Sequence, residues 1–552
     1  MRSGIKRKPD FWQLVTIIGF VFFGLFLVYP LIMVLARSMV DTSTGRASAR
    51  NFAKFFGKLY YRKALLNSFK VTICVTVIAS ILGTSLAYVM KTVRIRGRQF
   101  LDIIIIISVL SPPFIGAYSW ILLLGRSGVI TQFFHNSLNI QLPSIYGFNG
   151  ILLVFSLKLF SLIYMYVAGA LKNLDSSLLE AAESLGCTGI RRAFKIVLPL
   201  ILPTMLASAL LVFMRAMADF GTPMLIGEGY KTMPVLIYNE FISEVGGDDG
   251  FAAALSVITI LITTAIFLAQ KYISRKKSYT MSSTNPIQPK IAYGWNNAIA
   301  HAFCYLLVFL AIIPQLVVVY TSFLKTRGRI FIEGFSLDSY AKVFAEMGAP
   351  IANTYLYGLV AIAIIVVMGV LISYVSVRRR SALNGALDTI SMFPYIVPGS
   401  VMGIALLISF NNEPLLLSGT AFIIIVTWVI RRLPYTIRSS AAMLQQMSPS
   451  VEEAAISLGA SDIKAFAKVT LPSMLPGVLS GAIMSWMSVI TELSASILLY
   501  TGLTKTLTIS IYTEVIRANY GNAAALSSIL TFTTVVTLLL FFKITGKKEI
   551  EM

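Results

Sequence analysis

Residues 180–199 read EAAESLGCTGIRRAFKIVLP, and residues 453–472 read EAAISLGASDIKAFAKVTLP. Glu180, Ala181, Ala182, Gly186, Leu198 and Pro199 recur without a gap as Glu453, Ala454, Ala455, Gly459, Leu471 and Pro472, always 273 residues further on. Self-similarity at one fixed offset means that the chain presents two copies of one small surface. Each copy reads as a short helix, a stop and a second helix. Ser177 to Glu180 and Ser450 to Glu453 have capping-box spacing. In the second copy Ser448 followed by Pro449 is a rival start, with proline at the first helical position. The alanine pair offers a smooth face on which another backbone can pack. Gly186 and Gly459 stand where each helix should end, because glycine adopts the left-handed conformation without steric cost. Arg191, Arg192 and Lys195, or Lys464 and Lys468, come next, and Pro199 and Pro472 are expected to open the following segment.

The sequence around both copies is too apolar for a water-soluble domain. Of 552 residues, 57% are hydrophobic and 13% charged, against about 25% charged in soluble domains. Residues 12–36 (WQLVTIIGFVFFGLFLVYPLIMVLA) carry no charge over 25 positions, and about 20 suffice to cross a bilayer. That run is too long for a secretory signal, ends without a small-residue cleavage site and is followed by more spans. Twelve such runs are expected, near 12–36, 67–90, 101–124, 150–171, 200–220 and 251–270, then 298–322, 353–377, 387–410, 420–442, 474–499 and 523–542. The fold class is therefore an all-α polytopic membrane protein of two six-span repeats, residues 1–274 and 297–552, joined by a polar linker over 275–296. LLNSFKVTICVTVIA resembles IANTYLYGLVAIAII, and FAAALSVITIL resembles NAAALSSILTF, at matching places in the halves. An even number of spans per half makes the repeats parallel about an axis along the membrane normal.

The formal charge of +22 is spread through short loops, so it speaks for topology rather than for nucleic acid. If the N-terminus with Arg2, Lys6, Arg7 and Lys8 is cytoplasmic, so are Lys91, Arg94, Arg96, Arg98, Lys271, Arg275, Lys276 and Lys277. Arg378, Arg379, Arg380, Lys543, Lys547 and Lys548 fall on the same side, which favours both termini in the cytoplasm. The outer segment 37–66 is an exception rich in Lys and Arg, and its FAKFFGKLYY suggests an interfacial helix. Both copies of the repeated stretch, within 177–199 and 448–472, then lie in cytoplasmic loops between a fourth and a fifth span. Cys74, Cys187 and Cys304 are too scattered for a disulfide framework or a metal spacing. His135 and His301 are the only histidines, one in an outer loop and one in a span, which argues against a histidine metal site.

One such loop alone could be a plain amphipathic connection. Two copies in one register point to a partner with two-fold symmetry. The pattern Glu-Ala-Ala-x-x-x-Gly, nine residues, then Ile-x-Leu-Pro resembles the signature loop of ATP-binding-cassette importer permeases, departing from it only at Val469. That resemblance covers nearly the whole chain as a fused, two-domain permease of the type I fold in a bacterial-type cytoplasmic membrane. It implies that Glu180, Ala181, Ala182 and Gly186, with Glu453, Ala454, Ala455 and Gly459, are coupling elements for two ATPase subunits. It also implies an extracytoplasmic solute-binding protein as a partner. No Gly-x-x-x-x-Gly-Lys-Ser/Thr occurs, and GYKT at 229 and GLTKT at 502 lack the glycine spacing. The chain is thus expected to be no enzyme and to bind no cofactor itself, with ATP and magnesium held by the partner subunits.

Asp219 and Glu492 are also 273 apart, just before the outer ends of the fifth spans, and so are Lys158 and Arg431 in the fourth spans, with Arg432 beside the latter. Ionisable residues at such depths serve function or pair with one another. Two carboxylates across the axis would suit a cation, and two basic residues an anion. Alternatively they neutralise each other, and Arg215 with Asp219 has i, i+4 spacing for a pair on one helix. MADFGTPMLIGEGY (217–230) and TELSASILLYTGLTKTLTISIYTEV (491–515) resemble ferric-iron permeases. The resemblance implies ferric iron as solute, with an anionic organophosphate or phosphonate as the alternative. A secondary transporter with six-plus-six repeats is the rival class. It would need an ion relay at mid-membrane and would have no use for the repeated loop.

Overall fold

The computed structural model describes residues 10–41, 44–110, 113–242, 247–276, 285, 287–291, 293–328 and 330–545. Apart from one antiparallel hairpin, Leu324–Arg327 with Ile330–Phe335, and two isolated bridges, the regular structure described is helical. Among the described residues ten helices are long and apolar enough to cross a membrane. The difference from the expected twelve has two sources. Residues 387–410 are not one straight span: Ala382–Tyr395 and Gly399–Phe410 meet at 109°, with Pro398 at the break, where it cannot continue a helix. Residues 420–442 lie in the 26-residue helix Ala421–Gln446, which is long enough but carries Arg431, Arg432 and Arg438 on an otherwise apolar segment. The expected run 101–124 is likewise divided between Arg98–Leu110 and Pro113–Leu124.

The fifth spans begin earlier than expected. They run Gly189–Ala218 and Asp462–Ile490, so Pro199 and Pro472 do not open them. Each proline follows a five-residue π-helical turn, Ala193–Val197 in one half and Phe466–Thr470 in the other. Proline has no N–H for the carbonyl four residues back, and a locally widened turn accommodates that loss. The outer helix expected near FAKFFGKLYY is Arg50–Gly57, with Asn51 and Phe55 buried.

Each half lends its first span to the other. In Phe11–Ser38, Trp12 packs on Tyr374 and Phe466 at ring-centroid distances of 4.2 and 5.1 Å, and Thr16 Oγ1 donates to Asn384 Oδ1 at 2.8 Å. In Gly294–Ser322, Tyr305 Oη donates to the Arg96 carbonyl at 2.8 Å, and His301 Nε2 accepts from the Arg96 N–H at 3.2 Å. His301 is thereby a tie between halves. Within each half the second and fourth spans touch closely at a glycine, as small residues allow between membrane helices. A Cβ on Gly83 would fall 2.5 Å from the Phe160 carbonyl oxygen, and one on Gly369 would fall 2.7 Å from Thr436 Cγ2.

Part of the linker, 277–284 with 286 and 292, lies outside the described residues, as do the charges at 2, 6, 7, 8, 547 and 548. Its described end is a strap. The Asn285 carbonyl accepts from Ser176 N–H at 2.8 Å, Lys290 N–H donates to the Thr92 carbonyl at 2.9 Å, and the Lys290 carbonyl accepts from Arg94 N–H at 3.0 Å. The first repeated loop is thus joined to the end of the second span.

Candidate functional site

The first repeated loop opens with the helix Ser176–Ser184, whose N-cap is Asp175, accepting from Ser177 N–H at 3.0 Å. Ser177 is inside the helix, so the expected capping box does not form there. A charged carboxylate placed two residues earlier meets the same donors more strongly than a hydroxyl. In the second copy the helix is Ser450–Ser457 and neither expected start forms as such, although Ser448 Oγ accepts from Ser450 N–H at 3.3 Å. Pro449 is the N-cap rather than the first helical residue, and its carbonyl accepts from Glu452 and Glu453 N–H at 3.1 Å.

The two stops are alike. Gly186 has φ 76° and Gly459 has φ 91°. Beyond them Cys187 N–H donates to the Ala182 carbonyl at 2.8 Å and Ala460 N–H to the Ala455 carbonyl at 3.1 Å, satisfying carbonyls the helix would leave open. A Cβ at either glycine would meet nothing within 4 Å, so the backbone angle alone demands glycine. Glu180, Ala181, Glu453 and Ala454 are exposed, while Ala182 and Ala455 turn inward. Around them stand three pairs of exposed apolar side chains, each pair 273 residues apart: Leu178 and Val451, Leu185 and Leu458 (87% and 89% exposed), and Ile190 and Ile463. Contiguous exposed apolar side chains mark interaction surfaces. Sequence reasoning passed over these pairs, although Leu185 and Leu458 recur in the repeat itself.

The loops are anchored differently. Glu183 is ion-paired with Arg192 and with Lys290 of the linker, each at 3.1 Å. The Lys290 ammonium, more than the Arg192 guanidinium, holds the Glu183 carboxyl below its ordinary value. In the second loop the half-buried Glu452 accepts from Tyr374 Oη, accepts from Thr470 Oγ1 at 2.9 Å and lies 3.9 Å from Arg378 Nε. Asp462 is paired with Arg379.

Between the halves lies a cavity of about 220 Å³, whose wall includes Lys158, Asp219, Arg431 and Glu492, together with Arg215, Arg432 and Tyr435. The tertiary structure therefore brings both sequence-paired sets to one place. Lys158 lies in the middle of the helix Phe148–Lys172, and both carboxylates stand just past the ends of the fifth helices. The fifth helices stop at Ala218 and Ile490, and the chain continues into the short buried helices Gly221–Ile226 and Ser496–Leu499. Asp219 Oδ1 accepts from Thr222 N–H at 3.0 Å and Glu492 Oε1 from Ala495 N–H at 3.1 Å. Both carboxylates stitch the same turn.

Their other contacts differ. Glu492, with its side chain 3% exposed, is ion-paired with both Arg431 and Arg432. Among the described residues Asp219 has no ion pair within 4 Å. The i, i+4 pair with Arg215 does not form, because Asp219 has left the helix (φ −74°, ψ 126°) and no longer shares its face. Arg215 instead reaches Tyr435 Oη at 3.4 Å. Lys158 makes no hydrogen bond or ion pair with any described residue, and the Nε atoms of Arg431 and Arg432 are buried without a partner. Among the described residues no group of three His, Cys, Asp or Glu could hold a metal ion.

Two matched loops and a charged cavity between two interlocked helical halves define the membrane component of a solute transporter. Residues 79–279 and 365–545, one stretch in each half, match the family described as binding-protein-dependent transport system inner membrane component. The chain belongs to that family, as the membrane-spanning permease component of an ATP-binding-cassette importer rather than a secondary transporter. It is similar to the ferric transport system permease protein FbpB of Actinobacillus pleuropneumoniae, 28% identical over 97% of this chain and 78% of the relative. It is also similar to the Fe(3+)-transport system permease protein FbpB 2 of Haemophilus influenzae, 26% identical over 94% of this chain and 95% of the relative. A putative 2-aminoethylphosphonate transport system permease protein, PhnU of Salmonella typhi, is 22% identical over 48% of this chain and 91% of the relative.

Proposed function

We propose that this permease passes ferric iron, handed over by a solute-binding protein on the outer face, into the cytoplasm. The main support is length. The relatives named for ferric transport align with both halves on one chain, whereas the phosphonate relative aligns with one half only. Two separately encoded ATPase subunits dock on Glu180–Gly186 and Glu453–Gly459 and carry the ATP and magnesium, while this chain holds no cofactor. The paired exposed apolar residues support that docking. Both termini and both loops face the cytoplasm, since the ends of the second spans beside the loops carry Lys91, Arg94, Arg96, Arg378, Arg379 and Arg380. The two repeats are 1–274 and 297–552, with 275–296 as the linker.

The test is ATP-dependent uptake of radioactive iron by proteoliposomes holding the whole complex and its binding protein. Iron accumulation that needs hydrolysable ATP is expected, and uptake of 2-aminoethylphosphonate without iron would overturn the assignment. That second reading has one observation in its favour, the basic excess of the cavity. Orientation is tested separately with Cys187 and an Ala460→Cys counterpart, which should react with an impermeant thiol reagent only from the cytoplasmic side. Reaction in intact cells would reverse the orientation and remove the docking assignment with it.

A further inference from the structure

The cavity wall carries four basic side chains, Lys158, Arg215, Arg431 and Arg432, against two acidic ones, Asp219 and Glu492. Two positive charges are therefore in excess in a space of about 220 Å³, below the roughly 300 Å³ at which pockets for drug-sized ligands begin. The acids are also occupied. Glu492 answers Arg431 and Arg432 and caps a turn, and Asp219 caps the matching turn. On the basic side, donors remain unspent: the Lys158 ammonium makes no hydrogen bond or ion pair within 4 Å among the described residues, its electrostatic neighbour being Asp219, and Nε of Arg431 and of Arg432 has no partner. The Arg215 guanidinium is answered by neutral hydroxyls rather than by an acid, Tyr435 Oη at 3.4 Å and Tyr395.

The backbone adds to the same polarity. The break in the third span of the second half starts the 12-residue helix Gly399–Phe410 at the cavity, with Tyr395, Ile396 and Val397 in the wall. A Cβ on Gly399 would fall 2.8 Å from a guanidinium nitrogen of Arg431, so the helix N-terminus and this arginine converge. In the first half the 12-residue helix Pro113–Leu124 likewise begins at the wall, through Phe114. Helix N-termini present unsatisfied N–H groups and the positive end of the helix dipole, and broken membrane helices aim them at anionic groups.

We propose that this cavity is a site for a small, oxygen-rich anion, taken up either as a free oxyanion or as the anionic ligand shell of a ferric complex. The inference rests on the importer reading: a ligand shell deepens the iron assignment, whereas a free oxyanion entering without iron replaces iron as the solute. Bare ferric ion would be repelled by the excess charge and would find only two carboxylates, both engaged. An anion turns the unspent Arg and Lys donors into charge-assisted hydrogen bonds.

The test uses the complete importer in proteoliposomes supplied with ferric citrate labelled in both iron and citrate, and in parallel with labelled inorganic phosphate. The expected result is ATP-dependent entry of an anion label, citrate with iron if the anion is a ligand shell, phosphate without iron if it is free. Lys158→Met should lower anion entry by about tenfold or more, with Lys158→Arg retaining most of it. Because Lys158 faces the buried Asp219 carboxylate, the yield of folded complex is measured beside uptake. Asp219→Asn should act oppositely and lower the half-saturating anion concentration. Iron entering with neither label overturns the anion site and leaves the iron-importer reading standing. So does the cation pattern, in which Asp219→Asn abolishes uptake and Lys158→Met does not. If the complex hydrolyses ATP but takes up neither iron nor anion, the importer assignment itself fails. The anion site is then decided by thermal unfolding of the purified complex in citrate or phosphate against chloride at matched ionic strength. A rise in midpoint that Lys158→Met removes supports the site, and equal shifts in both proteins overturn it.

Discussion

In the second half Glu492 is held between Arg431 and Arg432, whereas at the matching place in the first half Asp219 caps its turn and forms no ion pair. The turn itself is the same in both, a carboxylate accepting the N–H three residues on. Conserving the backbone geometry needed only a carboxylate at one position in each copy. Ion pairing needed more. Leu159 stands where the second half has Arg432, and Ser488 stands where the first half has Arg215. Each half thus supplies two basic residues to one cavity, one pair, Lys158 and Arg431, from equivalent positions and the other, Arg215 and Arg432, from positions that are not. A duplicated fold can keep its total charge at the axis while making one half a rigid wall and leaving the other half with unspent charge.

The sharpest way to break this comparison is to neutralise the two carboxylates one at a time. Glu492→Gln leaves two buried guanidinium groups facing each other, a change that costs about 3–5 kcal/mol when a buried pair is broken. Asp219→Asn removes only a charge-assisted cap, worth about 1 kcal/mol. Thermal unfolding of the purified protein in detergent should therefore fall much further for Glu492→Gln. Equal losses would mean that the ion pairs contribute nothing beyond the cap.

The helix stops give a smaller effect that should be equal in the halves. Gly186→Val and Gly459→Val each force a β-branched residue to positive φ, at about 1–2 kcal/mol or more. Copurification of the ATPase should drop in both. Because a Cβ has room at each site, Gly→Asn should retain most of the docking, since asparagine tolerates that conformation. A Val variant that copurifies and transports normally would count against the docking role.

The loop anchors give the smallest effects, and unequal ones. Glu452→Gln weakens a half-buried set of bonds to Tyr374 and Thr470 and should cost about 1 kcal/mol, read as faster proteolysis of the second loop. Glu183→Gln, in an exposed pair, should leave proteolysis unchanged, as exposed ion pairs are screened. Its pH dependence is nevertheless readable. A carboxyl held below its ordinary value binds Lys290 fully above the usual glutamate value of about 4.3 and releases it as pH falls through the lowered value. Loop–linker crosslinking that stays constant to pH well below that range would show that the backbone bond from Ser176 to Asn285 suffices.

The sequence by itself determined the membrane class, the two repeats, the apolar runs and the position of both helix stops. These depend on composition, on a fixed offset of 273 residues and on the steric freedom of glycine, all of which are local properties. The helix at Arg50–Gly57 was legible for the same reason. Other features were not legible because they depend on what lies across space. Pro199 and Pro472 reside in continuous helices because a π turn absorbs them, which apolar counting does not register. Asp219 misses Arg215 because the chain leaves the helix one residue before it, so that i, i+4 spacing no longer implies a shared face. Only the tertiary structure decided that residues as distant as Lys158 and Glu492 line one cavity, that Glu492 has two arginine partners, and that each first span packs on the opposite half. Charge and burial act through distance between side chains, and distance between chain segments is set by packing rather than by spacing in the sequence.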